Sequence, residues 1–219
     1  MLNKILSAVM ITAIIVAIII GLFFRQTYTN ITAEPNFMEN HFSVALWDLD
    51  MSPSLIDTMR NDLPNSNLII RAKSEGPMDY TFKNNKQHIE VVEVYQGDDV
   101  DVGDQIAITL EGWMFFFDDM TANLNFVNVM QPDHEYLIFL DQKIDSPDPK
   151  ENNIYSLGQL IIPGIFNYED QNHTIINVPE DYPYVPYREV KDNEFFISSE
   201  KALEALMELK HEFLQQYPR

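Results

Sequence analysis

The sequence predicts a mainly β protein: a small antiparallel barrel or sandwich carrying a C-terminal helix, behind one N-terminal transmembrane helix. Three observations predict it. Residues 5–24 form an uninterrupted apolar run. Between about Leu68 and Val178 the chain breaks into short stretches that alternate apolar with polar residues or are wholly apolar, separated by Gly, Pro and Asp. From Ser199 the apolar residues recur at spacings of three and four.

The run Ile5–Phe24 (ILSAVMITAIIVAIIIGLFF) carries no charge, and only Ser7 and Thr12 bear hydroxyls. At 1.5 Å per residue a helix of this length spans about 30 Å, the thickness of a bilayer's hydrocarbon core. In lipid the backbone must satisfy its own hydrogen bonds, so a single span is helical despite its β-branched residues. A cleaved signal peptide has a shorter apolar core and small residues at its cleavage site. Here Leu22, Phe23 and Phe24 are bulky, which favours an uncleaved anchor, 1–25. Lys4 and the α-amino group precede the span, Arg25 follows it, and the next Lys or Arg is Arg60. That balance puts the N-terminus in the cytoplasm and the rest of the chain outside, as a single-pass protein of the cell membrane.

The chain holds 14 Lys and Arg against 34 Asp and Glu, a net charge of −20. Setting Lys4 and Arg25 aside leaves 12 basic and 34 acidic side chains, a charge of −22 on residues 26–219. Such a body repels phosphate backbones, so nucleic acid is excluded as a partner. The acidity keeps the body soluble and attracts cations. Cysteine is absent, which excludes disulfide scaffolds, thiolate metal sites, cysteine nucleophiles and a lipid-modified N-terminal cysteine.

Residues 26–40 read as a polar linker and 41–219 as the folded body. Ser52-Pro53 opens a short helix with Leu55, Ile56, Met59 and Leu63 on one side, stopped at Pro64. Strands are expected at Leu68–Ala72, His88–Tyr95, Gln105–Leu110, Tyr136–Leu140, Ile154–Pro163 and Thr174–Val178. The last helix, 199–217, starts with Ser198-Ser199-Glu200 and presents Leu203, Leu206, Leu209, Phe213 and Tyr217. The gap between Tyr95 and Gln105 is too short for a crossover helix, which argues against a doubly wound α/β fold.

The stretch Val91–Ile108 (VVEVYQGDDVDVGDQIAI), followed by Pro132–Leu140 (PDHEYLIFL) and by Gly164-Ile165-Phe166, resembles a pattern of small Gram-positive membrane-anchored extracytoplasmic proteins. The arrangement is similar to the OB-like barrels of netrin/TIMP-type modules. It lacks their cysteines, so their disulfide framework does not carry over. The resemblance spans about Leu68–Val178 and implies an OB-like fold at the cell surface, with no catalytic residues.

Chemistry-bearing motifs are sparse. Asp99, Asp101 and Asp104 around Gly103 present several carboxylates on a bent loop, the hard oxygen ligands calcium takes, but the EF-hand spacing is missing. The alternative is a hairpin loop. Asp48 with Asp50, and Asp118 with Asp119, read as solvated turns. His41, His88, His134, His173 and His211 form no zinc-hydrolase motif, and no G-x-S-x-G elbow or phosphate-binding Gly-rich loop occurs. The run Trp113-Met114-Phe115-Phe116-Phe117 reads either as a buried strand or as a partner-binding patch, with Trp113, Phe115, Phe116 and Phe117 as its contact residues. Pro179–Arg188, with three Pro and three Tyr, reads as an extended connector or a docking strip. Asn30-Ile31-Thr32 and Asn172-His173-Thr174 match glycosylation acceptors.

These features point to a membrane-anchored binding or interaction protein without a cofactor, held in the membrane by residues 5–24. The alternatives from other classes are a carboxylate-dependent hydrolase of cell-wall polymers and a calcium-dependent structural module.

Overall fold

The computed structural model describes residues 2–27, 34–47, 52–80, 85–146, 153–179 and 181–219. Asp48, Asp50 and the Asn30 acceptor lie outside the described residues. Two compact units divide the chain at Phe37/Met38.

The first unit holds α1 (Leu2–Thr27). Within it, Lys4–Arg25 is a helix long and apolar enough to cross a membrane, and none of it is buried against protein. Val9, Met10 and Ile11, successive residues that point to different sides of the helix, are all more than half exposed. A helix apolar all round suits an apolar surrounding.

α2 (Phe37–His41) begins at the boundary, and the second unit continues with β1 (Ser43–Ala45), α3 (Ser52–Asp62), β2 (Leu68–Ser74), β3 (Lys86–Gln96) and β4 (Gln105–Thr109). It continues with β5 (Met114–Phe116), β6 (Thr121–Asn123), β7 (Glu135–Ile144), β8 (Ile154–Leu157), β9 (Ile165–Asn167) and β10 (Tyr184–Pro186). Two helices end it, α4 (Tyr187–Val190) and α5 (Glu200–Gln216). The architecture is mainly β.

Five strands close into a barrel in the order β2-β3-β4-β8-β7, with β7 pairing back onto β2. The closing ladder runs from Leu68 opposite Leu140 to Lys73 opposite Glu135. Residues paired across a ladder share a face, so Ile70 and Ile138, Ala72 and Tyr136, Ile89 and Ile106, and Ile108 and Tyr155 line one continuous interior. All of them are buried. The barrel is not wholly antiparallel as expected: β4 and β8 run parallel. A parallel pair needs a long crossover, and the chain from Leu110 to Asn153 provides one that includes β5, β6 and β7.

The opposite face of β7 is also apolar at Leu137 and Phe139, where α5 covers it. Phe213 lies 5.1 Å from Phe139 and 5.7 Å from Phe166, ring centre to ring centre, and Tyr217 lies 5.8 Å from Phe139. This double burial explains why YLIFL is continuously apolar where a one-sided strand alternates. Ser199 caps α5, its side chain accepting from the Ala202 N–H at 3.4 Å. Gly164 fits where no side chain does: a Cβ there would meet Leu63 Cδ2 at 2.6 Å and Phe139 Cβ at 2.9 Å.

A second sheet runs β10-β1-β6-β5. Its inner face holds Val44, Phe115, Ala122 and Val185, all buried. The Pro179–Arg188 stretch therefore supplies an edge strand and the start of α4. Its Tyr187 is buried, while Tyr182 and Tyr184 are exposed. Two expected strands differ. Ile154–Pro163 forms a strand only to Leu157, and Thr174–Val178 pairs with no strand among the described residues.

Replacing Phe213 with Ala removes the ring that bridges β7 and β9. We expect a loss of about 3–5 kcal/mol in urea unfolding. A loss below about 1 kcal/mol contradicts the packing of α5 on the barrel.

Candidate functional site

The β3–β4 loop holds Asp99, Asp101 and Asp104; Asp99 and Asp101 are exposed, and the Asp104 side chain bonds back onto the loop. The Asp101 N–H donates to Asp104 Oδ2 at 2.9 Å, and the Asp104 N–H to the Asp101 carbonyl at 3.1 Å. The Gly103 N–H donates to the Val91 carbonyl at 2.8 Å, and the Val91 N–H to the Asp104 carbonyl at 2.9 Å. Gly97 takes φ +96°, and a Cβ there would lie 2.8 Å from the Asn67 carbonyl oxygen. The Asp104 carboxylate thus caps a hairpin turn. Among the described residues, no three His, Asp or Glu side chains converge as a metal site.

The aromatic run divides by strand alternation. Trp113 and Phe115 are buried, whereas Met114, Phe116 and Phe117 are 38–46% exposed. Phe115 packs edge-on against Phe42 at 5.5 Å and Tyr80 at 4.9 Å. Asn85 Nδ2 donates to the Trp113 carbonyl at 2.6 Å. Of the four partner-contact residues expected from sequence, Trp113 and Phe115 are therefore core. Phe116 and Phe117 retain surface, although Phe117 also meets Phe42 edge-on at 5.5 Å.

A cleft of about 290 Å³ opens between the segment entering β7 and the chain around 191–194. Gln131, His134, Tyr136, Lys191 and Asp192 line it, with Val127, Val129 and Ile165 as apolar wall. Irregular backbone forms most of this rim, and side-chain amides hold it in place. Gln87, fully buried, donates to the Met130 carbonyl at 3.1 Å and accepts the Met130 N–H at 3.0 Å. Asn193 does the same for Thr174, with both bonds at 2.8 Å. Asn128 donates to the Lys191 and Asn193 carbonyls and accepts from the Tyr187 hydroxyl. Each amide offers the donor–acceptor pair that a neighbouring strand would otherwise supply.

Behind the cleft lies a buried charge cluster. Lys210 on α5 is fully buried, and Glu194 nearly so. The Lys210 ammonium donates to Glu194 Oε2 at 2.7 Å, to the Glu169 carbonyl at 3.1 Å, and reaches Asp170 Oδ1 at 3.2 Å. All three of its protons are used. Glu194 Oε1 accepts the Asn167 N–H at 2.7 Å. Burial pushes the Glu194 carboxyl above its ordinary value of 4.5, with Lys210 and the Asn167 N–H pulling the other way.

Beside this pair, His173 Nε2 stands 3.1 Å from the Glu194 backbone nitrogen and 3.2 Å from that of Phe195, and accepts both N–H groups. Its Nδ1 must then donate to the Gln171 carbonyl at 3.1 Å, which fixes the neutral tautomer. The ring stacks on Phe195 at 5.9 Å and 11°.

Sequence reading assembled none of this cluster. Its one visible signal is Lys210, which sits four residues after Leu206 and three before Phe213, inside the apolar stripe of α5. A charge at such a position needs a buried partner.

No protein-family model and no curated protein sequence matches this chain. The site's reading therefore rests on its geometry.

Lys210→Met leaves Glu194 buried without its counter-ion. We expect about 3–5 kcal/mol of destabilisation in chemical unfolding, with much of it recovered in the Lys210→Met/Glu194→Leu double variant. A neutral single variant contradicts the pairing. For the aspartate loop we expect the same melting temperature in millimolar calcium as in chelator, because a ligand specific to the folded state must raise it. A rise of several degrees contradicts the hairpin-cap reading.

Proposed function

We propose that the chain is a single-pass membrane protein whose body is an OB-like binding module on the extracytoplasmic side, taking a small neutral polar molecule in the cleft. The cleft carries this reading. It is concave, its rim is fixed by Gln87, Asn128 and Asn193, and an amide, an imidazole, an ammonium and a carboxylate stand beside an apolar wall. Ligand sites combine these features: a largely preformed hollow with a few placed polar groups. Lys191 and Asp192 offer both signs of charge, while the −22 body as a whole repels anions.

The strand order supports the OB-like assignment. Numbered along the barrel, the five strands follow the order 1-2-3-5-4 and close back on the first, which is a Greek-key barrel of five strands. The apolar α1 supports the anchor, and Lys4 with the α-amino group before the span, against Arg25 alone just after it, favours an external body. Phe116 and Phe117 offer a second, smaller surface for a protein partner.

One observation favours a hydrolase instead: Glu194 borders the cleft and its carboxyl is shifted upward. Both its oxygens are occupied at 2.7 Å, by the Asn167 N–H and the Lys210 ammonium. That arrangement holds an ion pair and gives a general acid no proton to deliver, so the binding reading is preferred.

Two experiments test the proposal. Full-length protein should stay with the membrane fraction through an alkaline carbonate wash, and protease added to intact cells should digest residues 38–219. Thermal shift of the purified full chain against neutral oligosaccharides and polyols should yield a stabilising ligand. The Gln131→Ala/Asp192→Ala variant should lose that shift by about tenfold in apparent affinity, about 1.4 kcal/mol. A chain washed free of membranes overturns the anchor, and a ligand bound equally by the variant overturns the cleft.

A further inference from the structure

Residues 170–178 cross the outside of the body as a strap without regular secondary structure. Among the described residues they make no backbone-to-backbone hydrogen bond. Side chains hold the strap instead: Asn193 pairs with Thr174, and His173 ties it to the backbone of Glu194 and Phe195. The strap's Gln171 and the segment under it, Asn193 and Glu194, border the cleft.

We propose that this strap is acid-released: protonation of His173 detaches it from the 193–195 segment and opens that side of the cleft.

The geometry makes the two states incompatible. Nε2 accepts two N–H groups, so a proton on Nε2 would point at two donors. Nδ1 already donates to Gln171, so the alternative tautomer offers no escape. A protonated ring must leave, and the N–H groups of Glu194 and Phe195 then need water. Thr174 and Asn193 remain as the strap's last tether on that side.

The charged groups facing His173 act in both directions. On the strap, Asp170 favours the protonated ring, but its carboxylate is shared between Lys210 and His211, each 3.2 Å away. From α5, the Lys210 ammonium opposes a second positive charge. On the segment beneath, the Glu194 carboxylate is committed to Lys210, and Glu169 contributes its carbonyl to the same ammonium. Burial is the largest effect and, with Lys210, holds the imidazole below its ordinary 6.5.

The sign follows from that direction. His173 binds a proton more weakly folded than unfolded, so the closed strap is fully stable above pH 6.5 and loses stability as pH falls below it. Glu194, shifted upward, has the opposite sign: the folded state gains relative stability as it protonates. The two groups are therefore separable by which way acid moves the strap.

The test is hydrogen exchange by mass spectrometry on the full chain in nanodiscs, at about pH 7.5 and about pH 5.5, corrected for intrinsic exchange, with His173→Gln beside the parent. Glutamine accepts through its amide oxygen and does not titrate. In the parent, protection of the Glu194 and Phe195 amides, read in the 193–197 peptides, should fall about tenfold at the lower pH while the β2 and β7 peptides hold, and His173→Gln should keep its protection at both. Equal protection of the parent at both pH values overturns the proposal, as does the same acid response in His173→Gln. Should the variant be open at both, the His173 ring resonances of the parent decide. A ring that titrates together with strap opening supports the proposal; a ring that stays neutral while the strap opens overturns it.

Discussion

The pairing of β2 with β7 is the constraint on which the rest depends. Without it the five strands form an open curved sheet with two raw edges. With it, six residue pairs from Leu68/Leu140 to Lys73/Glu135 seal a cylinder whose interior is mostly apolar, with Gln87 and Ser74 as its buried polar members. Closure removes the edges that make isolated strands prone to pair with other chains. It also gives β7 two buried faces, one toward the barrel interior and one under α5. That doubly buried strand is the platform from which the segment before it, 127–134, reaches the cleft.

Closing a barrel with so few residues leaves long connections, and the chain disciplines them with amides. Gln87, Asn128 and Asn193 each present an oxygen and an NH₂ to a backbone carbonyl and N–H. A buried peptide group left without a partner costs more than the bond to a side chain returns, so these amides are structural necessities of the irregular rim. The Lys210–Glu194 pair works at the same place with charge. It joins α5 to the segment beneath the strap at a point where the helix's apolar stripe would otherwise continue. An ion pair so enclosed contributes little net stability over an apolar replacement, while removal of one partner alone is costly.

Much of this was legible from the residues. The span, the long strands and α5 all carry clear periodicity: the α5 stripe places Leu206, Leu209 and Phe213 in the core. The three-residue strands were not legible, because Ser43–Ala45, Thr121–Asn123 and Ile165–Asn167 are shorter than one period of any reliable pattern. Thr174–Val178 shows the converse. Its β-branched residues suit a strand, but it pairs with none among the described residues, and Asn193 and His173 take the place of a ladder. In Trp113–Phe117, five bulky residues in a row look alike in sequence, and only the pleat of β5 separates buried Phe115 from exposed Phe116. The cleft stayed hidden because its residues come from segments some sixty positions apart, with nothing in their spacing to join them.

Barrel closure is tested most directly by a cross-link, which a chain without cysteine makes clean. Lys73 and Glu135 face each other at the end of the closing ladder, and neither is fully buried. Opposed residues of an antiparallel pair lie about 4.5–5.5 Å apart at Cα, within disulfide range. The Lys73→Cys/Glu135→Cys variant should oxidise to an intramolecular disulfide without disturbing the fold and should unfold at higher denaturant than its reduced form. A Lys73→Cys/Lys143→Cys control should not bridge. Failure of the first pair to bridge in the folded protein, or bridging of both pairs alike, contradicts a closed barrel.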